Sequence, residues 1–324
     1  MEVKDHIEKL RTILNKHNIN YYVYDNPTIS DSEYDKLLRK LDKLEKDNPQ
    51  FLVNDSPTQR IGGIPLDDFD SIVHRIPMQS LANAMNEQEL QHFDHQIIKS
   101  LDVNNVEYIG EPKLDGLAVE LVYEKGQFVY GSTRGDGITG EDITHNLKTI
   151  KAIPLSILNE PIPDILEIRG EVFINKSEFK EFNHNRLKDG KAVFSNARNC
   201  AAGSLRQLDS TITMSRPLRI YCYAPGMITG EINFESQSEF LKYIPKWGFP
   251  VNPHTKIGNG FSFMQNYYHN AEKLRNNLDY DIDGVVFKVN SYSNQNKLGV
   301  RSKSPRWAIA GKLKAEQGTT IINN

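Results

Sequence analysis

Apolar residues recur at helical spacing in "SDSEYDKLLRKLDKLEKDN", residues 30–48, where Tyr34, Leu37, Leu38, Leu41 and Leu44 form one stripe among polar positions. Ser30 and Glu33 stand at capping-box spacing ahead of the stripe, and Asn48-Pro49 supplies a stop. Residues 1 to about 50 therefore predict helices joined by a tight loop. From residue 106 the pattern changes to short alternating or wholly apolar runs. Those at 106–112, 117–123, 127–133, 165–174, 218–224 and 282–289 predict strands, and 87–100, 177–188 and 236–246 predict helices. Glu124-Lys125-Gly126-Gln127 is too short for anything but a hairpin, so the class is α+β with antiparallel pairing.

Between the two patterns lies "NDSPTQRIGGIPLDDF", residues 54–69, rich in Pro, Gly and Asp, as a linker is. The chain accordingly divides into a small all-helical domain at 1–68 and a larger domain at 69–315. Residues 316–324 begin a further strand-like run, "EQGTTIINN", and then stop, as in a fragment of a longer chain or a frayed natural terminus.

Composition adds bounds. At 324 residues the chain exceeds the size at which one core usually keeps growing, which agrees with two domains. No apolar run approaches the length of a bilayer span and no basic-then-apolar leader opens the chain, so a soluble cytoplasmic protein with no membrane partner is expected. The net charge of −3 gives no overall attraction to nucleic acid, although a local basic face is compatible with it. Two cysteines are too few for a zinc site or a disulfide framework and suit a reducing compartment.

Four segments carry candidate chemistry. In "YIGEPKLDGLAVEL" Lys113 ends an apolar strand ahead of Asp115-Gly116, a pair that allows a sharp turn and places a carboxylate near the amine. A lysine is a poor nucleophile at neutral pH unless burial or neighbouring cations disfavour its charged form. The bland alternative is an ordinary lysine above a turn. In "ILEIRGEVFI" a period of two sets Glu167, Arg169 and Glu171 on one face and Leu166, Ile168, Gly170, Val172 and Ile174 on the other. That polar face is either solvated or the wall of a pocket in which Glu171 accepts from a ribose hydroxyl or holds a metal ion. "DIDGVVFKV" sets Lys288 inside an apolar run, and "RWAIAGKLKA" sets Lys312 and Lys314 on one face if it is a strand. Two such lysines brought near Lys113 would repel its charge and neutralise a phosphate.

In this order the four segments resemble the motif series of the covalent nucleotidyltransferases, the superfamily of DNA ligases, RNA ligases and capping enzymes. With "YYVYDNPTISDSEYDKL" (21–37), "SLANAM" (80–85), "STRGDGITGEDIT" (132–144) and "NARNCAAGSLRQLD" (196–209), the chain is similar to the bacterial NAD-dependent DNA ligases over nearly its whole length. The resemblance implies an antiparallel-sheet nucleotidyltransferase domain of the ATP-grasp-like ligase and capping-enzyme type. It implies NAD as the AMP donor, Mg2+, nicked double-stranded DNA as the partner of the full-length enzyme, and a monomer.

Residue by residue, Lys113 would attack the α-phosphate of NAD, expel nicotinamide mononucleotide and keep AMP as a phosphoramide. Asp115 and Asp283 would assist the amine or the metal chemistry, with a transient Mg2+ near Glu171 and Asp283. Ser80, Leu81 and Glu111 would border the adenosine, Arg134 and Glu171 the ribose, and Lys288 and Lys312 the α-phosphate. Tyr21, Tyr22, Asp31, Tyr34 and Asp35 would recognise nicotinamide mononucleotide. Asp31 and Asp35 are one helical turn apart, and aromatic rings suit a cationic nicotinamide. The bland alternative for this set is helix capping plus core tyrosines. Arg198 and Arg206, eight residues apart in a helix-like segment, would contact the donor pyrophosphate or the nick phosphate, unless they are a pair of surface arginines.

The chain departs from the family pattern at Tyr22, where His is frequent, at Ala197, where Pro is usual, and at "GKLKA" (311–315), where an aromatic-Lys-Phe-Pro-Ala run is usual. Family members continue into an OB-fold, a four-cysteine zinc module, helix-hairpin-helix repeats and often a BRCT domain. Alternative readings are an ATP-using or RNA-joining relative, and a non-catalytic nucleotide-sensing or nick-binding module.

Overall fold

The computed structural model of the chain describes residues 2–24, 26–60, 66, 68–302 and 304–314. The expected connection at 316–324 lies outside these residues, as do positions 61–65 and 67 of the expected linker.

Helices α1 (Glu2–Tyr22) and α2 (Asp31–Asp47) open the chain. The capping box forms: Glu33 N–H donates to Ser30 Oγ at 3.3 Å, and Ser30 N–H donates to Glu33 Oε2 at 2.9 Å. The stripe does what its spacing predicts. Leu41 packs with Ile7, Leu10 and Leu14 into a dry core that Tyr34, Leu37, Leu38, Leu44 and Phe51 close. Buried Glu45 then accepts from Arg11 Nε at 2.8 Å and Ser56 Oγ at 2.7 Å, which ties the segment after α2 back onto the helices.

The remaining elements follow as β1 (Ser71–Val73), β2 (Ala82–Ala84), α3 (Glu87–Leu101), β3 (Glu107–Leu114), β4 (Leu117–Glu124), β5 (Gln127–Thr133), β6 (Thr139–Glu141), α4 (Thr144–Thr149) and β7 (Ile165–Phe173). Next come α5 (Lys176–Lys188), α6 (Ala197–Leu205), α7 (Ser210–Met214), β8 (Arg219–Thr229), α8 (Gln237–Tyr243), β9 (Lys256–Asn259), α9 (Gly260–Leu274), β10 (Ile282–Val289), α10 (Tyr292–Leu298) and β11 (Ala308–Lys312).

The chain divides into two compact units. One is built from residues 1–79, 115–253 and 279–281, the other from 80–114, 254–278 and 282 onward. In the first, β5, β4, β7 and β8 form an antiparallel sheet in that order, and β1 pairs with β6. The predicted hairpin is present, with Glu124 opposite Gln127 and both loop residues at positive φ, as a two-residue turn requires.

In the second unit the order is β2-β11-β10-β3-β9. All its pairings are antiparallel except β2 with β11, which is parallel. Edge strand β2 and its neighbour β11 are more than 200 residues apart, so no hairpin dictates their direction. Helix α9, absent from the expected elements, buries Met264, Tyr267, Tyr268 and Ala271 on one stripe. A Cβ on Gly110 would touch the Tyr267 ring at 3.0 Å, which places α9 against the sheet face that carries Gly110.

Candidate active site

Within the second unit, strand register gathers the predicted lysines. Lys113 on β3 lies opposite Gly284 on β10, which lies opposite Lys312 on β11. By the two-residue alternation of strands, Glu111 and Lys288 belong to the same face as Lys113 and Lys312, away from Gly110 and α9. Strict alternation would turn Asp283 to the other side from Gly284. The pairing slips between Ile282 and Gly284, and that irregularity brings the Asp283 carboxylate to the lysines.

Two ammonium groups share this one carboxylate. Lys113 Nζ donates to Asp283 Oδ2 at 3.1 Å and Lys312 Nζ donates to the same oxygen at 2.6 Å. Oδ1 lies 3.0 Å from Lys113 Nζ, is buried, and accepts no hydrogen bond. Partial burial works to raise the Asp283 carboxyl, but the hydrogen bonds and charges of Lys312 and Lys113 outweigh it and hold the group below the usual aspartate value. The carboxylate nearest the Lys113 amine is thus Asp283, whereas the Asp115 carboxylate accepts from Arg198 Nη1 at 2.7 Å.

The glycines of both Asp-Gly pairs are there for close approach. A Cβ on Gly284 would stand 2.5 Å from the Gly311 carbonyl oxygen, and one on Gly116 would stand 2.3 Å from the Val172 carbonyl oxygen. Only a hydrogen fits at either position, so β10 can close on β11 beside Lys312, and the start of β4 can close on β7.

Lys288 and Glu111 form a contact ion pair, both side chains nearly buried. Burial pushes the Glu111 carboxyl up, and the Lys288 ammonium offsets part of that rise. Lys288 and Gly284 are four residues apart on β10, about 13 Å along a strand, so Lys288 does not join the Asp283 cluster. The two lysines expected together therefore hold separate stations on one face. Ser80 is exposed and Leu81 half-buried, both immediately before β2 at the edge of this sheet.

The altered run around Lys312 leaves its placement intact. Gly311 points toward α9, where an added Cβ would come within 3.3 Å of the Tyr268 ring and 3.2 Å of Val285 Cγ2. Tyr268 fills the space a larger residue would take, and its hydroxyl donates to the Lys312 carbonyl at 2.8 Å. Arg275 Nη1 donates to the Lys314 carbonyl at 2.9 Å and holds the chain beyond.

The other expected residues belong to the first unit. On β7 the apolar face is fully buried at Leu166, Ile168 and Val172, but the charged face is not a solvated one. Glu167 is 0% exposed, accepts from Arg75 Nη1 at 3.2 Å and from Met227 N–H at 2.9 Å, and Arg169 Nε donates to buried Glu120 at 3.4 Å. Glu171 is half-buried, and a Cβ on Gly116 would stand 3.0 Å from its Cγ. Arg134 follows β5 with an exposed side chain, and its N–H donates to the Ala118 carbonyl at 3.1 Å.

The helix carrying Arg198 ends at Leu205, so Arg206 is its C-cap residue and the eight-residue same-face relation does not hold. Arg198 meets Asp115 while Arg206 meets Glu141, and both guanidinium groups are more than half exposed.

The end of α1 and the start of α2 bring three of the expected aromatic residues together. The Tyr21 and Tyr22 rings are 4.7 Å apart, and burial with the neighbouring Tyr21 and Tyr34 phenols pushes the Tyr22 hydroxyl up to about 12. Tyr22 is thus a neutral donor at physiological pH. Burial likewise raises Tyr34, whose ring takes the Lys151 ammonium at 5.6 Å, a cation on an aromatic face. Asp35 is exposed on the same turn of α2 as Tyr34. The side chain of Asp31 lies outside the described part of the structure.

Sequence reasoning missed Lys151, buried Arg60 and Arg219, whose charges act on these tyrosines, and the buried His74 and Glu120. Arg60 stands in "SPTQR" inside the expected linker, where nothing but the basic residue itself signals a role. Among the described residues no cluster of three or more histidine, cysteine or acidic groups suits a metal ion, and no helix is long and apolar enough to cross a membrane.

Residues 66–316 match the family model of the NAD-dependent DNA ligase adenylation domain, and residues 1–62 match that of the DNA ligase-like N-terminal NAD+-binding domain. The chain is 50% identical over 321 residues to a DNA ligase of Geotalea daltonii, covering 98% of this chain and 48% of that protein. It is 48% identical over 323 residues to a DNA ligase of Geobacter sulfurreducens, with 99% and 48% covered. With a DNA ligase of Bacillus cytotoxicus it shares 49% identity over 320 residues, with 99% and 47% covered. The chain spans about half the length of these curated relatives.

Proposed function

Because the chain belongs to the NAD-dependent DNA ligase adenylation family, we propose that it catalyses its own adenylylation by NAD, the first step of nick sealing. The observation that carries this reading is the Lys113–Asp283–Lys312 cluster, a candidate nucleophile and a second cation held on one carboxylate.

In the reaction the Lys113 amine attacks the α-phosphorus of NAD. A phosphorus–nitrogen bond forms, the pyrophosphate bond breaks, and nicotinamide mononucleotide leaves with the bonding electron pair. The ammonium must first lose a proton to solvent, and Asp283, 3.0 Å away, holds and orients the amine. Lys312 neutralises charge on the phosphoryl oxygens in transit, which is the larger part of catalysis in reactions of this type. Lys288 serves the α-phosphate as well, and Glu111, Ser80 and Leu81 border the adenosine. Arg134 and Glu171 hold the ribose. Tyr21, Tyr22, Asp31, Tyr34 and Asp35 receive the nicotinamide mononucleotide half, for which the tyrosine faces and the cation already seated on Tyr34 are suited.

Asp283 Oδ1, a buried carboxylate oxygen that accepts no hydrogen bond, fits a magnesium ion, which binds through one or two carboxylates and otherwise through substrate phosphate oxygens. Mg2+ would supply charge neutralisation at the donor phosphates.

The domain division that goes with this reading is 1–68 for nicotinamide mononucleotide binding and 69–315 for adenylation. Passage of AMP to the 5′-phosphate of a nick in duplex DNA and closure by the 3′-hydroxyl belong to the longer protein, a cytoplasmic monomer in replication and repair. Supplying NAD and ATP in separate incubations with magnesium tests the donor: adduct with NAD and release of nicotinamide mononucleotide is expected, and adduct with ATP alone overturns the assignment.

A further inference from the structure

His74 follows β1 and its side chain is completely buried, yet nothing in the proposed reaction uses it. Its two ring nitrogens face two acceptors. Nδ1 is 2.8 Å from Glu120 Oε2 and Nε2 is 3.1 Å from the Arg134 carbonyl oxygen. A neutral imidazole has one N–H and one lone pair, so it can satisfy only one of these oxygens. Both are satisfied only when both nitrogens carry protons.

The Arg134 carbonyl is a junction. It also accepts the Gly137 N–H at 2.9 Å, which closes the Arg134-Gly135-Asp136-Gly137 turn between β5 and β6. Asp136 Oδ1 completes that turn by accepting the N–H groups of Ile138 and Thr139, each at 2.8 Å. The charged groups facing His74 are Glu120 from β4, Arg169 from β7, which donates to Glu120 Oε1, and Asp136 from the β5–β6 turn. A Cβ on Gly140 of β6 would lie 3.3 Å from Nε2, so the β6 backbone lies close against the ring.

We propose that His74 is a positioning residue for Arg134: as an imidazolium clamped by Glu120 it donates Nε2–H to the Arg134 carbonyl and fixes the turn that presents the Arg134 side chain to the nucleotide. The proposal rests on the reading of Arg134 as a ribose contact. When the imidazole loses a proton, the charge-assisted bond to Glu120 keeps Nδ1–H. Nε2 then turns a lone pair on the carbonyl oxygen, and the turn is released. Burial opposes the His74 charge, but the Glu120 hydrogen bond and charge outweigh it, so the change comes above the ordinary imidazole value of about 6.5. The positioning is complete at lower pH and is lost as pH rises.

Two measurements on the same chain test this. Nitrogen-15 NMR of His74 should show both nitrogens protonated near neutral pH, and the Arg134 and Gly137 amide signals should move with the His74 midpoint. The KM for NAD in self-adenylylation should rise about tenfold from about pH 6 to about pH 9 in the wild-type chain. In Glu120→Gln the amide donates to Nδ1 and still accepts from Arg169, which permits a neutral ring with Nε2–H on the carbonyl. That variant should keep a flat KM over the same range. The proposal is overturned by a singly protonated His74 near neutral pH, by amide signals that ignore its titration, or by a Glu120→Gln profile that parallels the wild type. Absence of any adduct in the wild-type chain would instead sink the NAD reading and leave the NMR result to decide the hydrogen bond.

Discussion

Lys113 Nζ and Asp283 Oδ1 stand 3.0 Å apart although 170 residues separate them in the chain, and the same carboxylate receives Lys312 at 2.6 Å. The proposed nucleophile and its proposed phosphate-neutralising partner are thus held in one place by a single acidic group.

That arrangement gives Asp283 a pH signature. Its carboxyl is held below the usual aspartate value, so the stabilisation it contributes is fully present above the unfolded value of about 3.9 and is lost as pH falls through the lower folded value. Asp283→Asn should therefore lower Tm at neutral pH, and the difference from wild type should shrink toward zero in acid. Thermal scans in steps between about pH 7 and about pH 2.5 check this. A difference that does not depend on pH would show that the carboxylate charge is irrelevant to the cluster.

The Glu111–Lys288 pair is nearly dry, and removing one member leaves a buried charge without compensation. Lys288→Met should cost about 3 kcal/mol in denaturant unfolding at neutral pH. Burial raises the Glu111 carboxyl, and loss of the Lys288 ammonium removes what offsets that rise, so the penalty should shrink as pH is lowered and the carboxyl becomes neutral. Replacing both residues, as Glu111→Leu with Lys288→Met, should recover most of the loss.

Gly311 and Tyr268 are complementary, the ring filling the volume that a side chain at 311 would need. Gly311→Phe should destabilise by about 1–3 kcal/mol through overpacking, and Tyr268→Ala should relieve part of that cost. A double-mutant cycle in urea reads the coupling. Strict additivity of the two changes would mean that the rings do not compete for this space.

Asp35 is exposed and its removal disturbs no core packing. Asp35→Ala should leave stability within about 0.5 kcal/mol of wild type while abolishing adenylylation by NAD. In the full-length protein it should spare sealing of pre-adenylylated DNA. Equal loss of both activities would assign Asp35 a purely structural role.

Much of the scaffold was legible because short-range rules decide it. The capping box at Ser30 and Glu33, the Leu41 stripe and the turn at Lys125-Gly126 need only neighbours to form. Helix α9 was not read from the sequence although Met264, Tyr267, Tyr268 and Ala271 have helical spacing, because its aromatic residues are weak helix formers and tertiary packing supplies the difference.

Sequence reasoning named both Asp115 and Asp283 beside the Lys113 amine and did not choose between them. Asp115 follows Lys113 in sequence, yet a slip in strand register gives the amine Asp283, and no periodicity rule foresees a slip. The expected same-face relation of Arg198 and Arg206 does not hold for a local reason, since the helix ends at Leu205. The charged face of β7 gave no sign of being buried, because Glu167 is dry only through Arg75 and Met227, which come from distant segments. His74 had no signal at all, a lone histidine whose acceptors lie 46 and 60 residues away.

Intact-mass spectrometry of the chain after incubation with NAD and magnesium tests the central claim most directly. A gain of one adenylyl group that maps to Lys113 and is absent from Lys113→Ala is the predicted result. An unchanged mass in the wild-type chain, or an adduct that survives in Lys113→Ala, would contradict it.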